Sequence, residues 1–374
     1  MHGLLLKRNA DEILERRRRF LNRQMQDSIL CSFRAVVSDT SEDEWLAFER
    51  KWGSCQAAAE RPCPSAEEIY DRLLVELEKR KSVEDDRLPV LYSTLDFAEG
   101  IVYAWLNLPV RFHHRPRYAC YSKGDAWEDY SPLSAAGYAG GNRWVRRAGE
   151  IHAFFRDKAQ GRFGQHPTIT MDALNFACEL RGATNAYCDL YEHPEELRKL
   201  MALGVDCNIQ FQEMQMREIG GHAGGSFAYL AQWVPFPRAV GLSVDSYVNC
   251  SVDTYAEFGF EYQQRLIDHF GHGLMHLHCN RADLAAQIVK LRGLALLQYG
   301  GDTRDQLTEY QRLPEMQKVA GEIPIQTSVE VEVFRAGLRD RTLPANVWYG
   351  VLHGESLTVD EANALMDEVR AYRA

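Results

Sequence analysis

The segment GLMHLHCNRAD, residues 273–283, sets two imidazoles and a thiol within four positions, at His276, His278 and Cys279, after an apolar run and ahead of a helical pattern. In an extended strand, residues i and i+2 share a face. His276 and His278 therefore point the same way, while Cys279 points away unless the strand has ended. Such a pair can chelate a divalent metal, move protons as an acid/base pair, or sit hydrogen-bonded inside a core. Further reactive side chains stand where apolar strands run out. Asp245 closes VGLSVD with Tyr247 beside it, and Asp302 follows Gly300 and Gly301. Either aspartate can serve catalysis or cap the next helix. Tyr247 can donate a proton or simply pack. Trp233, Phe236 and Arg238 in QWVPFPR suit a pocket for a flat or anionic ligand, or a packed core. Arg181 reads as a substrate clamp or an ion-pair partner. Glu330 and Glu332 alternate with valines in SVEVEVF, a pattern that also suits a solvated face.

These residues need elements to hold them. Short apolar runs ending in polar residues recur as VLYSTLD, FAYLAQW, VGLSVD, LMHLHC, LALLQYGGD and IPIQTSVE. Between them lie helical patterns at 193–219, 251–271 and 282–293, each starting near Pro, Ser or Asp, and the last two stopping at Gly. Alternating strands and helices imply parallel strands with helical crossovers. No glycine-rich phosphate loop follows the first strand. The expectation is therefore a (β/α)8 TIM barrel over residues 85–374, with catalytic groups at the carboxyl ends of its strands. Residues 1–84 carry apolar residues at three-and-four spacing and are expected to form a helical N-terminal extension, with ERRRRF at 15–20 as a solvated helix face. Residues 121–144, rich in Gly, Ser and aromatics, read as a long loop.

Bulk properties narrow the function. The 374 residues include 43 basic and 53 acidic side chains, a net charge of −10, which argues against nucleic acid or an anionic membrane as the main partner. No apolar run reaches the roughly 18 residues a membrane helix needs, and no signal peptide is visible, so a cytoplasmic location is expected. Nine cysteines, an odd number without a close CxxC pair, argue for buried thiols rather than a disulfide framework.

The stretches MDALNFACELRGATNAYCDLYEHPEELRKLM (171–201) and VGLSVDSYVNCSVDTYAEFGFEYQQRLIDHFGHGLMHLHCNRADLAAQIVKLRGLALLQYGGD (240–302) resemble the uroporphyrinogen decarboxylase superfamily. That superfamily includes cobalamin-independent methionine synthases and the methyltransferases that serve corrinoid proteins. The resemblance spans about residues 85–374 and implies a (β/α)8 barrel. The arginine-rich RQAGRY-like segment of the porphyrinogen-decarboxylating branch has no match here. The methyltransferase branch binds zinc through a His-x-Cys pair on one strand and a distant second Cys. Placing His276 on that histidine puts His278 at the cysteine position, and no Cys follows Cys279. The implied metal ligands are His276, His278, Cys279 and Glu330, with Glu332, Asp302, Cys250 and His353 as further donors.

Three readings follow. The first is a zinc-assisted methyltransferase acting on a thiol, with a small-molecule substrate and a corrinoid on a partner protein. In the second, a non-porphyrin decarboxylase or lyase uses His276 and His278 as acid/base groups, with Asp245 or Asp302 stabilising a developing cation and no metal. The third is a barrel that only binds a ligand or partner. A homodimer is compatible with any of them.

Overall fold

The computed structural model describes residues 4–34, 36, 66–92, 101–115, 118–278, 281–301 and 307–374. Two parallel sheets organise it, built from β1 (Ile29–Phe33), β2 (Val90–Tyr92), β3 (Gly164–His166), β4 (Val240–Leu242), β5 (Gly273–His278), β6 (Leu294–Gly300), β7 (Ile325–Glu330) and β8 (Val347–Leu352). Six form one sheet in the order β1-β8-β7-β6-β5-β4, every pair parallel. β2 and β3 form a second parallel pair. Residues four positions before β2 and four after β3 bond to the edge strands of the large sheet: Asp86 N to Cys31 O at 2.7 Å, and Thr170 N to Gly241 O at 2.9 Å.

Alternation along the strands decides what each face meets. Met275, Leu277, Leu297, Tyr299, Val329 and Tyr349 pack into the main core with helical residues such as Leu284, Leu313 and Phe334. The opposite face is apolar only near the strand starts, where Leu30, Leu274, Leu296 and Trp348 pack with Phe20, Met25 and Val234. Farther along, the same face carries His276 and His278, Gln298 and Gly300, Gln326 and Ser328, and Ser32 and Gly350, all half-buried.

The N-terminal zone is not purely helical. The helix Ala10–Leu21 ends well before β1, and β1 forms an edge of the large sheet. Nor is ERRRRF a solvated face. Arg17 is fully buried, hydrogen-bonded to Asp86 O at 3.0 Å and stacked over Trp348 at 4.1 Å, and burial pulls its pKa down to about 9. Arg16 pairs with Asp86 at 2.7 Å. FAYLAQW is part of an antiparallel hairpin, Gly225–Ala228 with Gln232–Val234, rather than a strand of the parallel sheet. Among the described residues, no helix is long and apolar enough to cross a membrane.

Candidate metal centre

β5 brings His276 and His278 onto one face, as the two-residue period requires. Asp245 lies just beyond β4, β5's neighbour in the sheet, at the start of a 3-10 turn over Asp245–Asn249. Two hydrogen bonds fix that turn. Ser243 Oγ donates to Asp245 Oδ2 at 3.2 Å, and Ser246 N donates to Asp172 Oδ2 at 3.3 Å. Asp172 also caps the helix Ala173–Arg181, accepting from Asn175 N at 2.7 Å.

With Oδ2 held by Ser243, Asp245 Oδ1 turns toward the imidazoles, 3.4 Å from His278 Nε2 and 3.8 Å from His276 Nε2. The rings meet edge to face, with centroids 4.9 Å apart. One ligand atom from each of the three residues lies within 4.8 Å of the others. Zinc bonds of about 2.0–2.1 Å in a tetrahedron place ligand atoms roughly 3.3 Å apart, so Asp245 and His278 already stand near that spacing and the His276 ring would have to move inward. Oδ1 is shielded from solvent and meets no well-aligned hydrogen-bond donor. A buried acceptor in that position is one a cation would satisfy. Two nitrogens and one oxygen are a donor set that zinc accepts, so the residues fit the group.

The electrostatics keep Asp245 charged beside the imidazoles, whether they hold a proton or a metal ion. Burial pushes the Asp245 carboxyl pKa up, but contact with His278 and the charges of both imidazoles outweigh it and hold the group below its ordinary value. Asp172 goes the other way. Complete burial, helped by the nearby Asp245 charge, raises it to about 7.

The other candidates are placed elsewhere or differently. Tyr247 is fully buried and donates to Phe258 O at 2.8 Å, so it belongs to the core. Arg181 is an ion-pair partner, bound to Asp189 at 2.9 Å and to Trp127 O at 2.7 Å. Trp233 is buried, its indole N–H on His222 O at 2.9 Å. Phe236 stacks on His272 at 3.7 Å. Arg238 pairs with Glu213 at 3.2 Å and lines, with Pro167, Arg217, Ser226 and Phe227, a cleft of about 370 Å³ that includes none of the triad. Glu330 ends β7 but pairs with His353 Nε2 at 3.4 Å, and His353 also meets Glu355 at 3.0 Å. Cys250 is half-buried against Ser246 O, and burial raises its thiol pKa to about 11. Cys279 and Asp302 lie outside the described residues. Gln298, which sequence reasoning missed, places Oε1 against His276 Nδ1. Its only sequence signal was a polar residue on an otherwise apolar strand.

No protein-family model matches the chain, and no curated protein matches it in sequence. Among solved structures, a methyltransferase from Methanosarcina mazei superposes with a TM-score of 0.60 over 96% of this chain and 98% of that one, at 11% identity, which establishes a likeness of fold.

Proposed function

We propose that this chain is a metal-assisted methyltransferase of the uroporphyrinogen decarboxylase superfamily, with zinc held by His276, His278 and Asp245. The observation that carries this reading is the convergence of three ligand atoms where two neighbouring parallel strands end. The fold shared with a methyltransferase agrees with it. Asp245 takes the place in the ligand set that sequence alone gave to Glu330, because Glu330 is turned to His353. Cys279, the residue after β5, is the remaining protein donor we propose.

Zinc in this setting would supply a Lewis acid that lowers the pKa of a substrate thiol. The chain's own residues do the rest. The imidazoles offer nitrogen lone pairs, Asp245 offers one negative charge, and Ser243 holds Oδ2 so that Oδ1 faces the histidines. The apolar floor of Leu274, Leu296 and Trp348 keeps water from the amino-terminal side. The acceptor is a small-molecule thiol, and the methyl group comes from a corrinoid on a partner protein. The fold belongs to the same proposal: the eight parallel strands close into a (β/α)8 barrel, with the bonds at Asp86 and Thr170 supporting closure.

A second reading has its own support. The 3.4 Å approach of His278 Nε2 to Asp245 Oδ1 also suits an imidazolium–carboxylate pair, as in a metal-free lyase. Elemental analysis of the full chain, purified without chelators and then titrated with zinc, separates the two. The metal reading expects about one zinc per chain, lost on Asp245→Asn. No zinc as isolated and no uptake on titration would overturn it and leave the acid/base reading.

A further inference from the structure

We infer that Gln298 is a positioning residue that selects which nitrogen of His276 faces Asp245; this rests on the metal reading above. Gln298 stands in direct register with His276 across the parallel β5–β6 ladder. Its side-chain carbonyl oxygen lies against His276 Nδ1. A carbonyl oxygen only accepts, so Nδ1 must carry the hydrogen. A neutral imidazole has one N–H, so Nε2 is left as a bare lone pair.

That lone pair stands 3.8 Å from Asp245 Oδ1, a buried acceptor whose nearer imidazole neighbour is His278 Nε2 at 3.4 Å. At His276 two acceptors face one another, and a cation between them, or a proton that His278 Nε2 donates to the same oxygen from 3.4 Å, relieves the repulsion. Were the amide turned to present its NH2 group to Nδ1, the hydrogen would move to Nε2 and His276 would donate to Asp245. The orientation of one amide thus decides between a ligand and a hydrogen-bond donor.

Gly300 makes the arrangement sterically feasible. A Cβ there would stand 3.2 Å from His276 Cε1 and 3.8 Å from Gln298 Nε2. The pair occupies the space that a side chain at position 300 would take. Outer partners of this kind fix tautomer and ring direction, and losing them typically costs about 10- to 100-fold in metal affinity.

The test uses the full chain with 15N-labelled histidine. Two-bond nitrogen–proton spectra of the metal-free protein should show His276 protonated at Nδ1 and bare at Nε2. Gln298→Leu should lose that preference, and its zinc affinity, measured by chelator competition, should fall by about 10- to 100-fold. Gln298→Glu, which keeps the acceptor, should bind zinc at least as tightly as the parent, which guards against a mere folding defect. A wild-type His276 protonated at Nε2, or a Gln298→Leu protein with unchanged tautomer and affinity, would overturn the inference. A wild type with the expected tautomer but no zinc binding would overturn the metal reading alone.

Discussion

Zinc affinity should climb with pH along a slope that counts the ligands. A proton and a metal ion compete for the same imidazole lone pair, so each histidine must be neutral before it ligates. Imidazoles ordinarily protonate near pH 6.5 or so, and two of them in the set mean that two protons are displaced per zinc in acid. The apparent association constant should then fall by about 100-fold per pH unit well below that range. Asp245 adds nothing to this slope above about pH 4, because its carboxyl is held below its ordinary value. A Cys279 ligand would add a third proton and extend the fall upward, since thiols ordinarily ionise near 8.5 or so. Competition against a chromophoric chelator from pH 5 to 9, corrected for the chelator's own protons, gives the slope directly. We expect a slope of two in acid, flattening above neutrality if the histidines and Asp245 are the whole set. A flat profile would refute histidine ligation, and a slope of one would leave a single histidine.

Three other outcomes are expected. His278→Cys, which restores a His-x-Cys pair, should retain or tighten zinc binding, while His278→Ala should weaken it by about two orders of magnitude; equal affinities in a zinc titration would exclude His278 as a ligand. Gly300→Ala forces the His276 ring to give by a few tenths of an ångström and should lower zinc affinity about tenfold with little change in thermal midpoint, so unaltered affinity would contradict the packing argument. Asp85 is fully buried between Lys7 at 2.5 Å and Arg80 at 3.0 Å, and Asp85→Asn should cost about 3–5 kcal/mol in urea unfolding at pH 7. Burial pushes the Asp85 carboxyl up, but Lys7 and Arg80 outweigh this and hold it low. Its contribution is therefore present above about pH 4 and lost as pH falls further, and an acid profile identical in the variant would refute the assignment.

The sequence carried the histidine pair because strand alternation is local: i and i+2 share a face whatever the rest of the fold does. It carried the helices at Pro194–Ile219 and Ala282–Ile288 through their periodicity, and the region 251–271 apart from a break at Gly259. What it hid depends on distant partners. β1 is five residues long, and its apolar side chains can be read as a continuation of the preceding helix's three-and-four spacing until pairing with β8 makes it a strand. Arg17 reads as surface until Asp86, 69 residues later, is brought to it. Tyr247 neighbours a site residue, yet its hydroxyl turns to Phe258 because the 3-10 turn reverses its direction. Beside the hairpin at 225–234 the sequence does carry a local turn signal. Ala223 and Gly224, both at positive φ, form the two-residue turn that joins Gly221–His222 to the first strand of that hairpin, in a glycine-rich run.

How the inner face changes along each strand bears on what can reach the histidines. Alternate residues are about 6.6 Å apart along a strand, so one step takes β5 from Leu274 to His276 and β6 from Leu296 to Gln298. The first layer is dry, closed by Phe20, Met25 and Val234. Any ligand therefore approaches from the carboxyl side, past the second layer. That layer has small residues at two places: Gly300 stands opposite His278 in register, and Gly350, three strands along the sheet, stands between Ser328 and Ser32. A Cβ on Gly350 would come within 3.7 Å of Ser328 Oγ and 3.8 Å of Arg34 Nε, ordinary contacts that would fill the gap without breaking the sheet. The room beside His276 is thus set in part by Gly300, which contributes no chemistry. A side chain at position 350 would fill space beside Ser328 and Arg34 while leaving the three ligand atoms where they are, which separates filling the second layer from loss of the metal centre.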